Sequence, residues 1–444
     1  MQRRKILLVA LLTAALPLPA AAQSLMQVYQ YAKGHDAQFA AARHALSAGL
    51  EKLPQGRALN LPTLNLSANT TATRIDSEPK RGSAPAPFVR DVRAFGYTLS
   101  FSQPIYRRQN AIQYDQAGYQ VKQAEAAFGL AAQDLIVRTA QAYFDVLASQ
   151  DTLALVRAQK TAIAEQLAQA RRNFEVGTAT ITDTHEAQAR FDLSAAQEIA
   201  AQNDLENKRR ALQQITGKEY GTLKPLRPQV KLTPPNPANM QSWVELAEKQ
   251  SYTVQAQEAV TEIASLEAKR HTAAHHPTLD LVASYGYNSQ TGSSTSALGT
   301  NVGTGVLGLQ FAVPLYAGGS LNSRQREAAA NYEKSRQELE NARRSVALSA
   351  RQSYLSVLNG VAQVGALEQA LVSSQSALDS NKLGYEVGVR INIDVLNAQQ
   401  QLFSTRRDLA VARYNTITSH LRLKSAAGSL KEEDLEEINK ALEP

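Results

Sequence analysis

The chain runs to 444 residues without a cysteine and carries a formal charge of +7, so it can hold neither a disulfide nor a lipid on an N-terminal Cys. Three of the positive charges are Arg3, Arg4 and Lys5, and the remaining excess of about +4 is interleaved with Asp and Glu, which removes the electrostatic case for nucleic acid. Abundant Ala, Gln, Leu and Ser with few aromatics points to long helices.

Arg3, Arg4 and Lys5 lead into an apolar run from Ile6 to Leu18 and then Ala20-Ala21-Ala22, the layout of a secretory signal peptide over residues 1–22. The exported chain is expected to start near Gln23. No later stretch approaches the roughly 18 to 20 apolar residues of a membrane-spanning helix, so a route across a bilayer has to use strands.

Residues 23–230 are expected to form a helix, a β-hairpin over about 63–104 and a long helical hairpin over about 107–217. Leu64, Leu66 and Ala68 alternate with Asn65, Ser67 and Asn69. Phe95, Tyr97, Leu99 and Phe101 alternate with Gly96, Thr98, Ser100 and Ser102, again with the period of a strand that is apolar on one face. The Ser-, Gly- and Pro-rich stretch from Asp76 to Arg90 reads as the loop between them. No proline falls between Ile105 and Lys224, and proline costs about 3 kcal/mol inside a helix. Arg107 to Phe174 therefore reads as one helix of about 100 Å at 1.5 Å per residue. Val176-Gly177 ends it, because Gly most easily takes the left-handed position after a helix. A second helix follows from about Ile181 to Gly217.

Residues 231–430 give the same order again at an offset of about 210 to 215 positions, an internal two-fold repeat. Leu61-Pro62-Thr63-Leu64 returns as His276-Pro277-Thr278-Leu279, Gln103-Pro104-Ile105-Tyr106 as Val313-Pro314-Leu315-Tyr316, and Phe174-Glu175-Val176-Gly177 as Tyr385-Glu386-Val387-Gly388. This half is expected to hold a helix, a hairpin near 278–314 with a loop from Thr291 to Gly303, and a helical hairpin near 319–428 that turns at Val387-Gly388. Residues 431–444 close the chain. Four strands cannot close around a pore, so they form either a half-buried sheet or part of a barrel shared with other copies.

The paired hairpins, the Pro-flanked strands and the Val-Gly turns together resemble the TolC family of outer-membrane factors over essentially the whole exported chain. Leu25-Met26-Gln27-Val28-Tyr29-Gln30, Leu212-Gln213-Gln214-Ile215-Thr216-Gly217 and Lys424-Ser425-Ala426-Ala427-Gly428-Ser429-Leu430 carry the likeness most closely. The resemblance implies an α+β membrane protein: a twelve-stranded transmembrane β-barrel, four strands from each copy of a homotrimer, continuous with a long periplasmic α-helical barrel. It places Tyr220–Asn239 and the segment after Lys431 in a belt around the helices. It also implies an exit channel in the outer membrane for efflux or type I secretion, working with a periplasmic adaptor and an inner-membrane ABC or proton-driven transporter. A periplasmic or surface coiled-coil scaffold is the alternative; it explains the helices but not the paired amphipathic strands.

By the same resemblance the periplasmic tip is closed by Thr182 and Asp183 of the first hairpin acting with Tyr385 and Arg390 of the second. Physically, Asp183 can accept from the Tyr385 hydroxyl and the Arg390 guanidinium, each bond weak enough to break on opening. Thr182 and Asp183 equally suit a helix N-terminus without any gating role. Asp394 matches one acidic ring of the family's constriction, but Asn397 stands at the second, which leaves three carboxylates in a trimer and a weaker preference for cations. The Val176-Gly177-Thr178 and Val387-Gly388-Val389 turns match the adaptor-docking tips.

Other signals fail on context. Gly303, Gly305 and Gly308 spell a dinucleotide-binding spacing, yet they precede a strand and open no helix. His271, His275 and His276 belong to a helix-to-strand junction without a carboxylate at catalytic spacing. Neither a cofactor nor enzymatic chemistry is expected.

Overall fold

The computed structural model describes residues 22–78, 80, 87–227, 230 and 232–443, so the expected signal peptide lies outside the described residues except for Ala22. The chain forms α1 (Leu25–His35), α2 (Ala37–Leu50), α3 (Lys52–Ala58), β1 (Thr63–Ser77), β2 (Phe88–Tyr106), α4 (Arg108–Glu175) and α5 (Ile181–Thr216). It continues with α6 (Met240–Gln250), α7 (Tyr252–Thr272), a 3-10 turn at Ala273–His275, β3 (Thr278–Gln290) and β4 (Thr300–Ala312). α8 (Ser320–Glu386), α9 (Asn392–Ala426) and α10 (Glu432–Lys440) complete it. Two compact units share these elements, one built from residues up to Ala41, Ala131–Ser251 and Ala347 onward, the other from Ala42–Leu130 and Tyr252–Val346.

The second unit contains the sheet, antiparallel throughout in the order β1-β2-β3-β4. Its register aligns the alternation of every strand: Leu66 pairs with Leu99, Leu99 with Tyr285, Ala283 with Leu307 and Leu281 with Leu309. These residues, with Tyr97 stacked on Tyr287, make one continuous apolar face, while Asn65, Ser67, Thr98, Ser100, Ser284 and Gly286 make the other face polar. Among the described residues nothing covers the apolar face of the outer strands: Leu66 is 72% exposed and Leu307 77%. The outer strands are as bare, with every residue of β1 from Thr63 to Arg74 exposed and every residue of β4 except Gly308.

Both loops are shorter than the sequence suggests. β1 runs on to Ser77 and β2 starts at Phe88, and the second hairpin resumes at Thr300. Ladder bonds between Asp76 and Val89, and between Gln290 and Thr300, satisfy the backbone of polar residues whose composition alone reads as loop. Gly303, Gly305 and Gly308 therefore lie inside β4, not ahead of it. Beneath the sheet, α3 lies so close on α4 that a Cβ on Gly56 would stand 2.8 Å from that of Ala117. Ile112, Leu266 and Ala273 form the small core there. Arg107, next to the start of α4, forks onto the buried carboxylate of Asp280 in β3 at 2.7 and 2.6 Å.

In the first unit Phe144 of α4 stacks on Tyr414 of α9 with Tyr143 at its edge. The Tyr143 hydroxyl donates to a backbone carbonyl on either side, Gln23 at 3.1 Å and Lys224 at 2.8 Å. α10 returns to α1 through Glu432, which accepts from Lys33 and from Tyr29. The expectation of no further apolar helix meets one exception among the described residues, since an 18-residue window of α8 reaches a mean hydropathy of 1.2 with 11% of it buried. That window meets the length and composition of a bilayer span. Leu355 and Val372 on the same helix are 49% and 63% exposed, so α8 carries an uncovered apolar face.

Candidate functional site

The two hairpin turns follow one backbone design. At the end of α4, Thr178 N–H donates to Asn173 O and Gly177 N–H to Phe174 O; at the end of α8, Val389 N–H donates to Gly384 O and Gly388 N–H to Tyr385 O. Both glycines take φ +78°, the left-handed position that ends a helix with its last carbonyls satisfied. Around them the apolar side chains face water: Val176 is 73% exposed, Val387 65% and Val389 78%. Thr178 Oγ1 donates to Asn173 O at 3.1 Å. The docking residues inferred from the sequence thus form two like turns in the first unit, each presenting exposed valine side chains.

The helices that leave the turns begin differently. Thr180 caps α5: its hydroxyl accepts from Asp183 N–H at 3.3 Å, while Asp183 Oδ2 accepts from Thr180 N–H at 3.0 Å and from its hydroxyl at 2.8 Å. This reciprocal pair satisfies two of the orphan donors of the first turn. α9 is preceded at its N-cap by Ile391, which has no side-chain oxygen to cap with. Asp394, in the position that Asp183 takes on α5, turns instead to Arg390 at 3.7 Å.

Within one chain, then, the inferred gate residues are near one another without closing on one another. Thr182 is exposed. Asp183 accepts both bonds from Thr180 on Oδ2, and among the described residues none reaches Oδ1. The Tyr385 hydroxyl accepts from Asn173 Nδ2 at 3.1 Å and, among the described residues, donates to no acceptor. Arg390, with 59% of its side chain exposed, makes among the described residues a single ionic contact, the loose one to Asp394.

The ties that join the two hairpins inside the chain use residues that sequence reading did not single out. Asn392 is buried at the start of α9; its carbonyl accepts from Gln166 of α4 at 2.6 Å, and its amide reaches the Asp183 carbonyl at 3.5 Å. Arg190 of α5 donates to Gln400 at 2.5 Å and to Asn397 at 3.0 Å. Ile163, Leu167, Ala170, Ala187 and Leu396 pack into the core beneath these bonds. Further along α4, Tyr414 donates to Asp151 at 2.7 Å. No motif marks these pairs, because each joins residues more than 200 positions apart. The one readable signal was the amide of Asn397 at a position expected to be acidic.

At the helix-to-strand junction His271 contacts Glu267 at 3.1 Å, a carboxylate that the sequence reading had not placed beside it, and Glu267 also pairs with Arg270. Burial would raise the Glu267 carboxyl, but Arg270 and Gln116 hold it below the usual range. That is an ion-paired helix end. Among the described residues no group of three or more His, Cys, Asp or Glu side chains converges as a metal site would require.

Known proteins match this chain along nearly its whole length. The family described as "Outer membrane efflux protein" matches residues 28–218 and 243–429. Outer membrane protein TolC of Escherichia coli K12 is 36% identical, covering 95% of this chain and 85% of its own, and that of Vibrio cholerae is 33% identical over 95% and 94%. The alkaline protease secretion protein AprF of Pseudomonas aeruginosa is 32% identical over 94% and 86%. Among solved structures, the outer membrane protein VceC from Vibrio cholerae superposes with a TM-score of 0.76 over 91% of this chain and 96% of that one, at 20% identity. The last likeness concerns the fold.

Proposed function

This chain belongs to the TolC family of outer membrane efflux proteins, and from that membership we propose that three copies build a single exit duct across the outer membrane and into the periplasm. The observation that carries the proposal is the sheet. Its one apolar face suits lipid, its polar face suits an aqueous lumen, and its two long bare edges need partners that the described residues do not supply. β4 of one copy pairs with β1 of the next until a twelve-stranded barrel closes. The uncovered face of α8 packs on neighbouring helices to extend the barrel into the periplasm. A coiled-coil scaffold has no use for such a sheet.

The inner end of the duct is closed between copies. Asp183 Oδ1 and Thr182 of one protomer receive Arg390 of the next, which exchanges its loose contact with Asp394 for a charge-assisted bond, and the Tyr385 hydroxyl donates to the same cluster. A net 1.5 to 3 kcal/mol for each bond to a charged group, at about three such bonds in a trimer, biases closure and still yields to a partner protein. That partner is a periplasmic adaptor docking on Val176-Gly177-Thr178 and Val387-Gly388-Val389, and beyond it stands an inner-membrane ABC or proton-driven transporter. Asp394 and Asn397 line the constriction.

The test is single-channel recording of the purified full-length protein in planar bilayers. Wild type is expected to open rarely and to low conductance. Arg390→Ser and Asp183→Ala should each raise conductance severalfold by releasing the latch, about 1.4 kcal/mol for each tenfold change in open population. Unchanged currents in both variants would remove the latch, and the absence of any pore in wild type would remove the channel itself.

A further inference from the structure

We propose that the polar face of the sheet carries a binding cup for uncharged sugars, one on each copy, walled by Asn69 and Asn288 and opened by the glycines between them. Its place in the wall of the duct rests on the reading that this face lines the lumen, whereas the cup itself lies within the sheet of one chain.

The register decides which side chains share the face. Across the five rows of the ladder from Thr63 opposite Ser102 to Thr71 opposite Ala94, no position on the polar face is ionisable, and most carry a hydroxyl or an amide. Charged groups on this face begin beyond those rows and are already engaged. Arg90 donates to the Ser293 carbonyl, and Asp280 accepts the fork of Arg107. A wall of this kind offers donors and acceptors without fixed charge, so an ion finds no counter-charge on it and a polyhydroxylated solute finds partners for its own hydroxyls.

One place on the wall is shaped. Asn69, Gly96 and Asn288 are consecutive partners across β1, β2 and β3. Because Gly96 has no side chain, the two asparagines lean toward each other over β2: the point that a Cβ would occupy lies 3.2 Å from a side-chain oxygen of each, and Gly96 is buried beneath them. In the next row Gly286 leaves the same kind of gap, with Thr98 Oγ1 3.3 Å from where its Cβ would stand. The result is a cavity of about 500 Å³, bordered also by Ser284 and Thr304, a size at which small-molecule sites occur. Asn69 and Asn288 are exposed, and neither side chain hydrogen-bonds to another described residue. An amide presents a donor and an acceptor side by side, which matches two adjacent hydroxyls of a sugar ring, each of them donor and acceptor in turn. Two amides converging on one gap hold such a ring from both sides.

Saturation-transfer NMR on the purified full-length protein, in a detergent without a sugar head group and with maltotriose as the probe, tests the cup. Wild type should transfer saturation to the sugar with a dissociation constant in the millimolar range, where a few neutral hydrogen bonds in open water place it. The double variant Asn69→Ala, Asn288→Ala should weaken binding about tenfold or more, because both amides are gone. Gly96→Val, which fills the space between them, should do the same with both amides still present. Asn65→Ala, on the same face two rows away, should bind as wild type does. Saturation transfer that is absent in wild type, or equal in wild type and both cup variants, would overturn the proposal. The duct is tested separately by pore formation in planar bilayers: pores without sugar binding would remove the cup alone, and sugar binding without pores would remove the duct alone.

Discussion

Asp151 lies in the packing between α4 and α9, with Tyr414 as its hydrogen-bond donor. Burial pushes its carboxyl above the usual range, and the bond from Tyr414 only partly offsets that. A carboxyl whose pKa is raised in the folded state binds its proton more tightly there, so folding loses stability as pH rises through the raised value. Asp36 behaves in the opposite sense: burial alone would raise it, but Arg138 and the Phe39 N–H hold it low. Its contribution is present at neutral pH and lost in acid. Asp151→Asn keeps an acceptor for Tyr414 and removes the buried charge. We expect its melting temperature in detergent at pH 8 to equal or exceed that of wild type, with a smaller difference between pH 5 and pH 8. A clear fall at pH 8 would show that the ionised form is the stabilised one. None of this was legible in the sequence, where Asp151 is one acid among many on a long helix. Its burial appears only when residues from both hairpins meet, as with Asn392 on Gln166 and Arg190 on Asn397.

At the scale of elements the sequence said more, because helix ends and strand alternation are local chemistry. The long proline-free spans became α4 and α8, and Gly177, Gly217, Gly388 and Gly428 all took positive φ at helix ends. What local chemistry missed is where ladder pairing outruns composition, at Asp76–Val89 and Gln290–Thr300, and the unequal caps of α5 and α9. The glycines also differ in a way the sequence does not show. A Cβ on Gly177 would meet open space, whereas on Gly428 it would press on the backbone of Gln250 and Ser251, 2.8 Å from Ser251 N. Gly177→Ala should therefore cost only the left-handed backbone penalty, about 1 to 2 kcal/mol, and lower the melting temperature slightly. Gly428→Ala carries the same penalty plus a clash against main chain that cannot rotate away, so it should melt several degrees lower still and yield less trimer. Equal losses for the two would mean that the α9 end relaxes freely around α6.

The whole molecule is where the single chain is incomplete. An isolated four-stranded sheet with 15- and 13-residue edges bare on both sides exposes unpaired backbone donors and acceptors that a hydrocarbon layer would not tolerate. In the proposed duct those edges meet other edges, with β4 of one copy beside β1 of the next. Absence of native cysteine makes this directly measurable. With Ser67→Cys in β1 combined in turn with single cysteines from Val302 to Phe311 in β4, mild oxidation should yield disulfides only in the few registers whose Cα atoms come within about 7 Å. For those pairs, denaturing gels should show a ladder that ends at three chains, because a closed ring leaves no free edge. A ladder continuing past three would mean an open or larger assembly, and no crosslink in any register would mean that the edges are paired in some other way. The face on which each position lies supplies an internal control. Ser67 belongs to the polar face, so partners such as Val306 and Thr304 should react, while Leu307 and Leu309, on the apolar face, should not.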